Sequence, residues 1–145
     1  MKKYDPQMHT AEHVMNQTMV RLFNVKRAFS CHLEKKKSKC DYHFHRGLTA
    51  AEEKSLADAI NEQLKRCLPV EEHWISREKM GKRYNLEKLP EENDDQIRIV
   101  LIGDYDACPC IGSHVSNTSE VGEFVLVSSS FEEGVLRVRF KLKRP

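Results

Sequence analysis

The sequence predicts an α+β fold, a two-layer sandwich with helices packed on one face of a mainly antiparallel sheet. Two stretches repeat apolar residues at helical spacing, and four or five short stretches alternate or run apolar in the manner of strands. No internal repeat or long linker divides the 145 residues, a length that suits one domain with a sizeable core. Two helices and several short strands joined by turns pack as layers.

Asp5 and Pro6 form a helix start, with Asp as N-cap and Pro at the first helical position. Met8, Ala11, Met15, Met19, Leu22 and Phe23 then recur at helical spacing, and the helix is predicted to run to about Lys26. His9, His13, Asn16, Gln17 and Val20 fall on a second, mostly polar stripe suited to lining a site. Lys35, Lys36, Lys37 and Lys39 make a basic loop. Cys40, Tyr42 and Phe44 next alternate with Asp41, His43 and His45, a short strand pattern.

Thr49-Ala50-Ala51-Glu52 is a capping box. It opens a second helix with Leu56, Ile60, Leu64 and Cys67 on one face and Pro69 past its end. Residues 70–75 read as a strand, Ser76 as the cap of a short helix to Tyr84, and residues 87–95 as an acidic loop containing Pro90. Residues 97–102 and 124–127 are buried-strand patterns. After a turn at Glu132, Glu133 and Gly134 the chain alternates strictly. Leu136, Val138, Phe140 and Leu142 take one face, and Arg137, Arg139, Lys141 and Lys143 take the other.

Hydrophobic content of 39% and charged content of 32% are a soluble globular balance. No apolar run approaches the roughly 18 residues that span a bilayer. The N-terminus shows no signal-peptide core, so a cytoplasmic protein without a membrane partner is expected. Five irregularly spaced cysteines argue against a secreted disulfide framework. With a net charge of only +2, a polyanion must be met by a local patch. The loop lysines 35, 36, 37 and 39 and the strand face of Arg137, Arg139 and Lys141 are the candidate phosphate contacts. The bland reading is a solubility patch and a charged edge strand that blocks aggregation. A homodimer is compatible with the sequence.

The residues richest in chemistry are two pairs at four-residue spacing: His9 with His13, and Cys110 with His114. The first pair shares a helix face. It is not a His-Glu-x-x-His protease motif, because Thr10 stands where that motif has its general base. A thiolate and three neutral imidazoles make a complete tetrahedral set for one zinc ion per chain, held between the first helix and the sheet region. Gly112 allows a turn that aims Cys110 and His114 inward. Cys108 offers a second thiol as an alternative ligand or a buried neighbour. Cys31, Cys40 and Cys67 read as ordinary core or surface residues. A closed set normally means a structural metal, and a catalytic one needs a loose or fifth ligand.

His9-Thr10-Ala11-Glu12-His13-Val14-Met15-Asn16 resembles the first signature of the alanyl-tRNA synthetase editing domain. Cys110-Ile111-Gly112-Ser113-His114, with Val115, Thr118 and Gly122 following, resembles the second. This module is also known as the second additional domain of threonyl- and alanyl-tRNA synthetases, and its free-standing relatives are the AlaX proteins. Weaker similarity covers the strand near Cys40, the helix from Thr49, and Met80-Gly81-Lys82-Arg83-Tyr84. The resemblance implies zinc at His9, His13, Cys110 and His114, and hydrolysis of the ester of Ser-tRNA(Ala) or Gly-tRNA(Ala). Because His9 lies so near the start, the expectation is a single free-standing domain at 1–145, without an N-terminal Gly-rich barrel or a synthetase domain.

The chain departs from the family pattern in three places. Cys-Gly-Gly-Thr-His becomes Cys110-Ile111-Gly112-Ser113-His114, Glu12 replaces a common Thr, and a Gln-x-Gly-Ser stretch survives only as Ser30. Glu12 is the candidate proton acceptor. Thr10, Gln17, Ser30, Gly112 and Ser113 are candidates for reading the aminoacyl group. The competing expectation is a non-catalytic, zinc-stabilised module that binds tRNA or a synthetase.

Overall fold

The structure, a computed structural model, describes residues 5–76 and 96–145. Helix α1 spans Pro6–Phe23, and the Asp5 side chain caps it by accepting the Met8 N–H. It stops short of Lys26 because Asn24 turns left-handed (φ 54) and returns its N–H to the Val20 carbonyl. Strands β1 (Ser30–His32) and β2 (Ser38–His43) follow. Helix α2, Ala50–Lys65, begins at the predicted capping box, with both reciprocal bonds between Thr49 and Glu52 formed. Leu56, Ile60 and Leu64 are buried as expected. Cys67 is not: it lies past the helix at φ 55 and is exposed.

Strand β3 is Val70–Ser76, its last residue being the predicted cap of the short helix to Tyr84. The remainder of that predicted helix, the acidic loop at 87–95 and the segment Met80 to Tyr84 lie outside the described residues. Strands β4 (Gln96–Ile102), β5 (Asp106–Pro109), β6 (Glu123–Glu132) and β7 (Val135–Lys143) complete the fold, with a 3-10 turn at Thr118–Glu120.

The expected α+β architecture with antiparallel strands is present, but the strands form two sheets. One has the order β1-β2-β7-β6 and the other β3-β4-β5, and every neighbouring pair is antiparallel. The second is a meander that pairs only with itself. It joins the rest where Val70 N–H bonds Ser116 O and Thr118 bonds Leu68 through both backbone and hydroxyl.

The main core lies between the helices and the four-stranded sheet. Met8, Met15 and Met19 from α1 and Leu56 and Ile60 from α2 meet Tyr42, Phe124, Leu136, Val138 and Phe140. Burying each such side chain is worth about 1.5–3 kcal/mol. Strand β7 buries Leu136, Val138 and Phe140 as its alternation predicts. Gly122 has φ +90, and a Cβ there would strike the Lys143 carbonyl, so the turn into β6 needs glycine.

In the three-stranded sheet, the register puts Glu72 and Trp74 of β3 on one face with Arg98, Val100 and Ile102 of β4 and Asp106 and Cys108 of β5. Ile102 joins the main core from that face. The opposite face gathers Ile97 and Ile99 with Ile75, Leu101 and Ala107. Beyond β7, the Arg144 guanidinium reaches back to Asp5 at 3.0 Å and also to Gln7. No helix among the described residues is long and apolar enough to cross a membrane.

Candidate metal centre

One turn apart on α1, His9 and His13 project from the same face and are nearly closed to solvent, at 4% and 3% exposure. Cys110 continues the line of β5, its N–H bonding the Arg98 carbonyl at 3.2 Å. His114 follows four residues later. The ligand atoms of His9, His13, Cys110 and His114 all lie within 4.8 Å of one another. The His9 and His114 rings stack at 4.1 Å, and His13 stands edge-on to both.

Hydrogen bonding fixes which nitrogen His9 and His114 offer, and the nearby Asp106 carboxylate orients His13. His9 Nδ1 lies 3.1 Å from the Ser113 carbonyl, which can only accept, so Nδ1 carries the proton. The Thr10 hydroxyl gives its one proton to the Pro6 carbonyl (2.9 Å) and accepts the Val115 N–H (3.2 Å). His114 Nδ1, 3.0 Å from that same oxygen, must therefore be a donor. His13 Nδ1 faces the Asp106 carboxylate at 3.7 Å. All three rings thus turn Nε2 toward the centre. His9 Nε2 sits 3.4 Å from Cys110 Sγ, and His114 Nε2 is buried with no hydrogen-bond partner. Rings locked through the distal nitrogen are what a metal-ligating histidine needs.

The protonation states match. Burial alone would push the Cys110 thiol up, but the surrounding rings of His114, His13 and His9 outweigh it and hold it down at about 2. Burial, with the positive charge of His13 nearby, lowers His114 to about 4, so it is neutral at pH 7. His13 runs the other way: burial lowers it, yet Asp106, Cys110 and Glu12 raise it well above its ordinary value. A thiolate and an imidazole with a free Nε2 are metal donors, and an incoming cation would displace the His13 proton.

Around these four stands a layer of support, of which the sequence pointed only to Asn16 and Gln17. Asp106 is buried and takes Arg27 at 2.7 and 3.3 Å and Gln17 Nε2 at 3.0 Å. Although burial works against it, His13 and Arg27 hold its carboxyl far below the usual range. Arg98 donates to the Cys110 carbonyl at 2.8 Å and to the Gly112 carbonyl, clamping the 110–112 turn. Asn16 accepts from Ala28 N–H and from the Tyr42 hydroxyl, tying α1 to β2 and to the chain entering β1. Asp106, Cys108 and Cys110 alternate at period two, a strand signal that would have put Asp106 beside the ligands.

The other sequence-predicted residues fall as follows. Glu12 Oε1 accepts the Cys31 S–H at 3.4 Å, while Oε2 is buried, unpartnered and 3.7 Å from His13 Nε2. Thr10 and Gln17 are engaged by His114 and Asp106. Gly112 gives its N–H to Cys110 Sγ at 3.4 Å. It is not among the left-handed glycines, which are Gly103, Gly122 and Gly134. Ser113 and Ser30 are exposed. Cys108 is outside the ligand group, burial pushes its thiol up, and its Sγ contacts the Pro109 carbonyl at 3.5 Å.

The basic residues lie elsewhere. Lys35, Lys36, Lys37 and Lys141 are exposed. Lys39 pairs directly with Arg139 across β2 and β7. Arg137 is already held by Asp41 at 2.7 and 2.9 Å.

The family described as the threonyl and alanyl tRNA synthetase second additional domain matches residues 97–139. An alanine–tRNA ligase of Bdellovibrio bacteriovorus is 28% identical over 133 residues, 90% of this chain and 15% of that protein. The alanine–tRNA ligase of Petrotoga mobilis is 29% identical over 140 residues, 94% of this chain and 16% of that one. That of Thermotoga maritima is 29% identical over 133 residues, with 90% and 15% covered. The chain spans about 15% of the length of these relatives. Residues 97–139, from β4 to β7, match the second additional domain of threonyl and alanyl tRNA synthetases, and over 90% of its length the chain is similar to an alanine–tRNA ligase.

Proposed function

We propose that this chain is a single-domain, zinc-dependent aminoacyl-tRNA deacylase acting in trans on mischarged tRNA(Ala), with serine or glycine as the amino acid removed. The observation that carries this reading is the convergence of His9, His13, Cys110 and His114 in a chain related to alanine–tRNA ligases. The donor set suits one zinc ion, and the setting is the cytoplasm, where translation runs. When bound, zinc supplies a Lewis acid that can polarise an ester carbonyl or acidify a water.

The remaining work falls to the chain's own groups. Glu12 Oε2, with Oε1 occupied by Cys31, takes a proton from the attacking water and returns it to the departing ribose hydroxyl. The products are a free amino acid and an uncharged tRNA end. Thr10 and Gln17 act through His114 and Asp106 as positioning residues, so Ser30, Ser113 and the turn at Gly112 are left to read the aminoacyl group. Lys39 opposite Arg139 is a like-charge pair that costs stability alone and that a phosphate would relieve. With Lys35, Lys36, Lys37 and Lys141 it forms the docking surface for tRNA. Arg137 contributes less, because Asp41 already neutralises it.

The second reading, a zinc-stabilised tRNA- or synthetase-binding module without catalysis, is favoured by a ligand set that four protein groups already fill. One assay separates the two. Zinc-loaded protein is mixed with Ser-tRNA(Ala), Gly-tRNA(Ala) and Ala-tRNA(Ala), beside Cys110→Ala. Release of serine or glycine, spared alanine and an inactive variant are expected. Folded, zinc-bound protein that releases no amino acid removes the deacylase reading.

A further inference from the structure

Trp74 is the chain's single tryptophan and one of its most exposed large apolar side chains, at 62%. It sits on β3, which with β5 is one of the two outer strands of the three-stranded sheet. Its cross-strand partner is Arg98, and the Arg98 carbonyl in turn receives the Cys110 N–H. One row of residues, Trp74, Arg98, Cys110, therefore crosses the sheet on the face that also bears Asp106 and Cys108. Two strand spacings, about 10 Å, separate the backbone anchor of the indole from that of the thiolate ligand.

Among the described residues, none between the two ends is free to cover the ring. The Arg98 guanidinium is committed to the Cys110 and Gly112 carbonyls and to Glu72 at 3.1 Å. Ile111, 44% exposed, lies in the turn that Arg98 clamps.

We propose that Trp74 is the platform on which the terminal base of an acylated RNA end stacks while its ester lies at the metal centre. This rests on the deacylase reading. A ribose esterified at the centre holds its own base one sugar away, a reach of the same order as the row. The surroundings of the ring select the occupant. Glu71, Glu72 and His73 beside it are exposed and polar, with Glu71 and Glu72 carrying carboxylates. They disfavour an anionic membrane or a phosphate, and a single indole among charges is too small an apolar patch for a protein groove. A flat, uncharged ring is what remains, and aromatic side chains bind single-stranded bases by stacking without regard to sequence.

The lone tryptophan makes the test site-specific. Zinc-loaded full-length protein is titrated with a short RNA hairpin ending in single-stranded CCA, and with the same hairpin abasic at its last residue, following tryptophan fluorescence and RNA anisotropy together. Saturable quenching by the CCA hairpin, absent with the abasic one, is expected. Trp74→Ala should weaken CCA binding and raise KM for deacylation at least about fivefold, and Trp74→Phe should restore both. Equal binding of both hairpins with unchanged fluorescence overturns the inference, as does a Trp74→Ala variant with unaltered KM. Fluorescence that follows protein concentration and ignores RNA overturns it in favour of self-association. If the native protein deacylates nothing, the deacylase reading fails instead, and the abasic comparison still reports on Trp74.

Discussion

The Thr10 hydroxyl has one proton, and it goes to the Pro6 carbonyl, so His114 presents Nδ1–H to Thr10 and Nε2 to the other ligands. Thr10→Val keeps the shape and removes the acceptor. Metal affinity should fall about 10–100-fold, read by competition with a chromogenic chelator, while the circular dichroism spectrum stays native. Thr10→Ser should restore it, and full affinity in the Val variant would show that another group sets the tautomer. At this scale the four residues that converge were legible, because the offsets from His9 to His13 and from Cys110 to His114 survive any fold. Their supports were not. Asp106 meets Arg27 across 79 residues, and Arg98 reaches the 110–112 turn only because β4 pairs with β5. Gln17 was placed on the helix face of His9 and His13 and Thr10 on none, and both were read as contacts of the amino acid, where the structure engages them with Asp106 and His114.

Among the elements, α2 shows how a start signal becomes a pH response. Glu52 accepts Arg46 at 2.7 and 2.8 Å and the Thr49 N–H at 2.9 Å. The Arg46 hydrogen bond, then the Thr49 backbone bond, lower its carboxyl from 4.5 to about 2. Because the folded value is depressed, the contribution is present above about pH 4.5 and lost as pH falls toward 2. An NMR titration of Glu52 should find its midpoint near 2. Fraying of the first turn of α2 should begin in that window and be independent of pH there in Glu52→Gln. A midpoint near 4.5 would mean the cap is not formed in solution.

The strands divide by length in what the sequence discloses. β7 alternates over nine residues and was read to its ends. β1 has three residues and β5 four, too few for period two to stand out from chance. β6 was seen only at its apolar start, since the serines at 128, 129 and 130 hide the continuation.

Over the whole molecule, the ligand group joins the first helix to a turn about a hundred residues later, His9 to Cys110 being 101 apart. Metal held only by the native state stabilises it by about 4 kcal/mol at a thousandfold excess over Kd. Stripping with a chelator should lower Tm by roughly 10 °C, reversed by adding zinc, as read by calorimetry. An unchanged Tm with metal demonstrably lost would uncouple the centre from folding. The α+β class was legible from two amphipathic helices and several short strands, but the split into two sheets was not. It depends on β3 pairing with β4 in place of the β2–β7 sheet, a choice among similar apolar runs that tertiary contacts decide. Arg144 grips Asp5 and Gln7, so the described fold begins and finishes at one point on its surface. A module with adjoining ends enters a longer polypeptide at a single junction without stretching either flank, and a bulky tag at one end will crowd the other and loosen the first turn of the helix that carries His9.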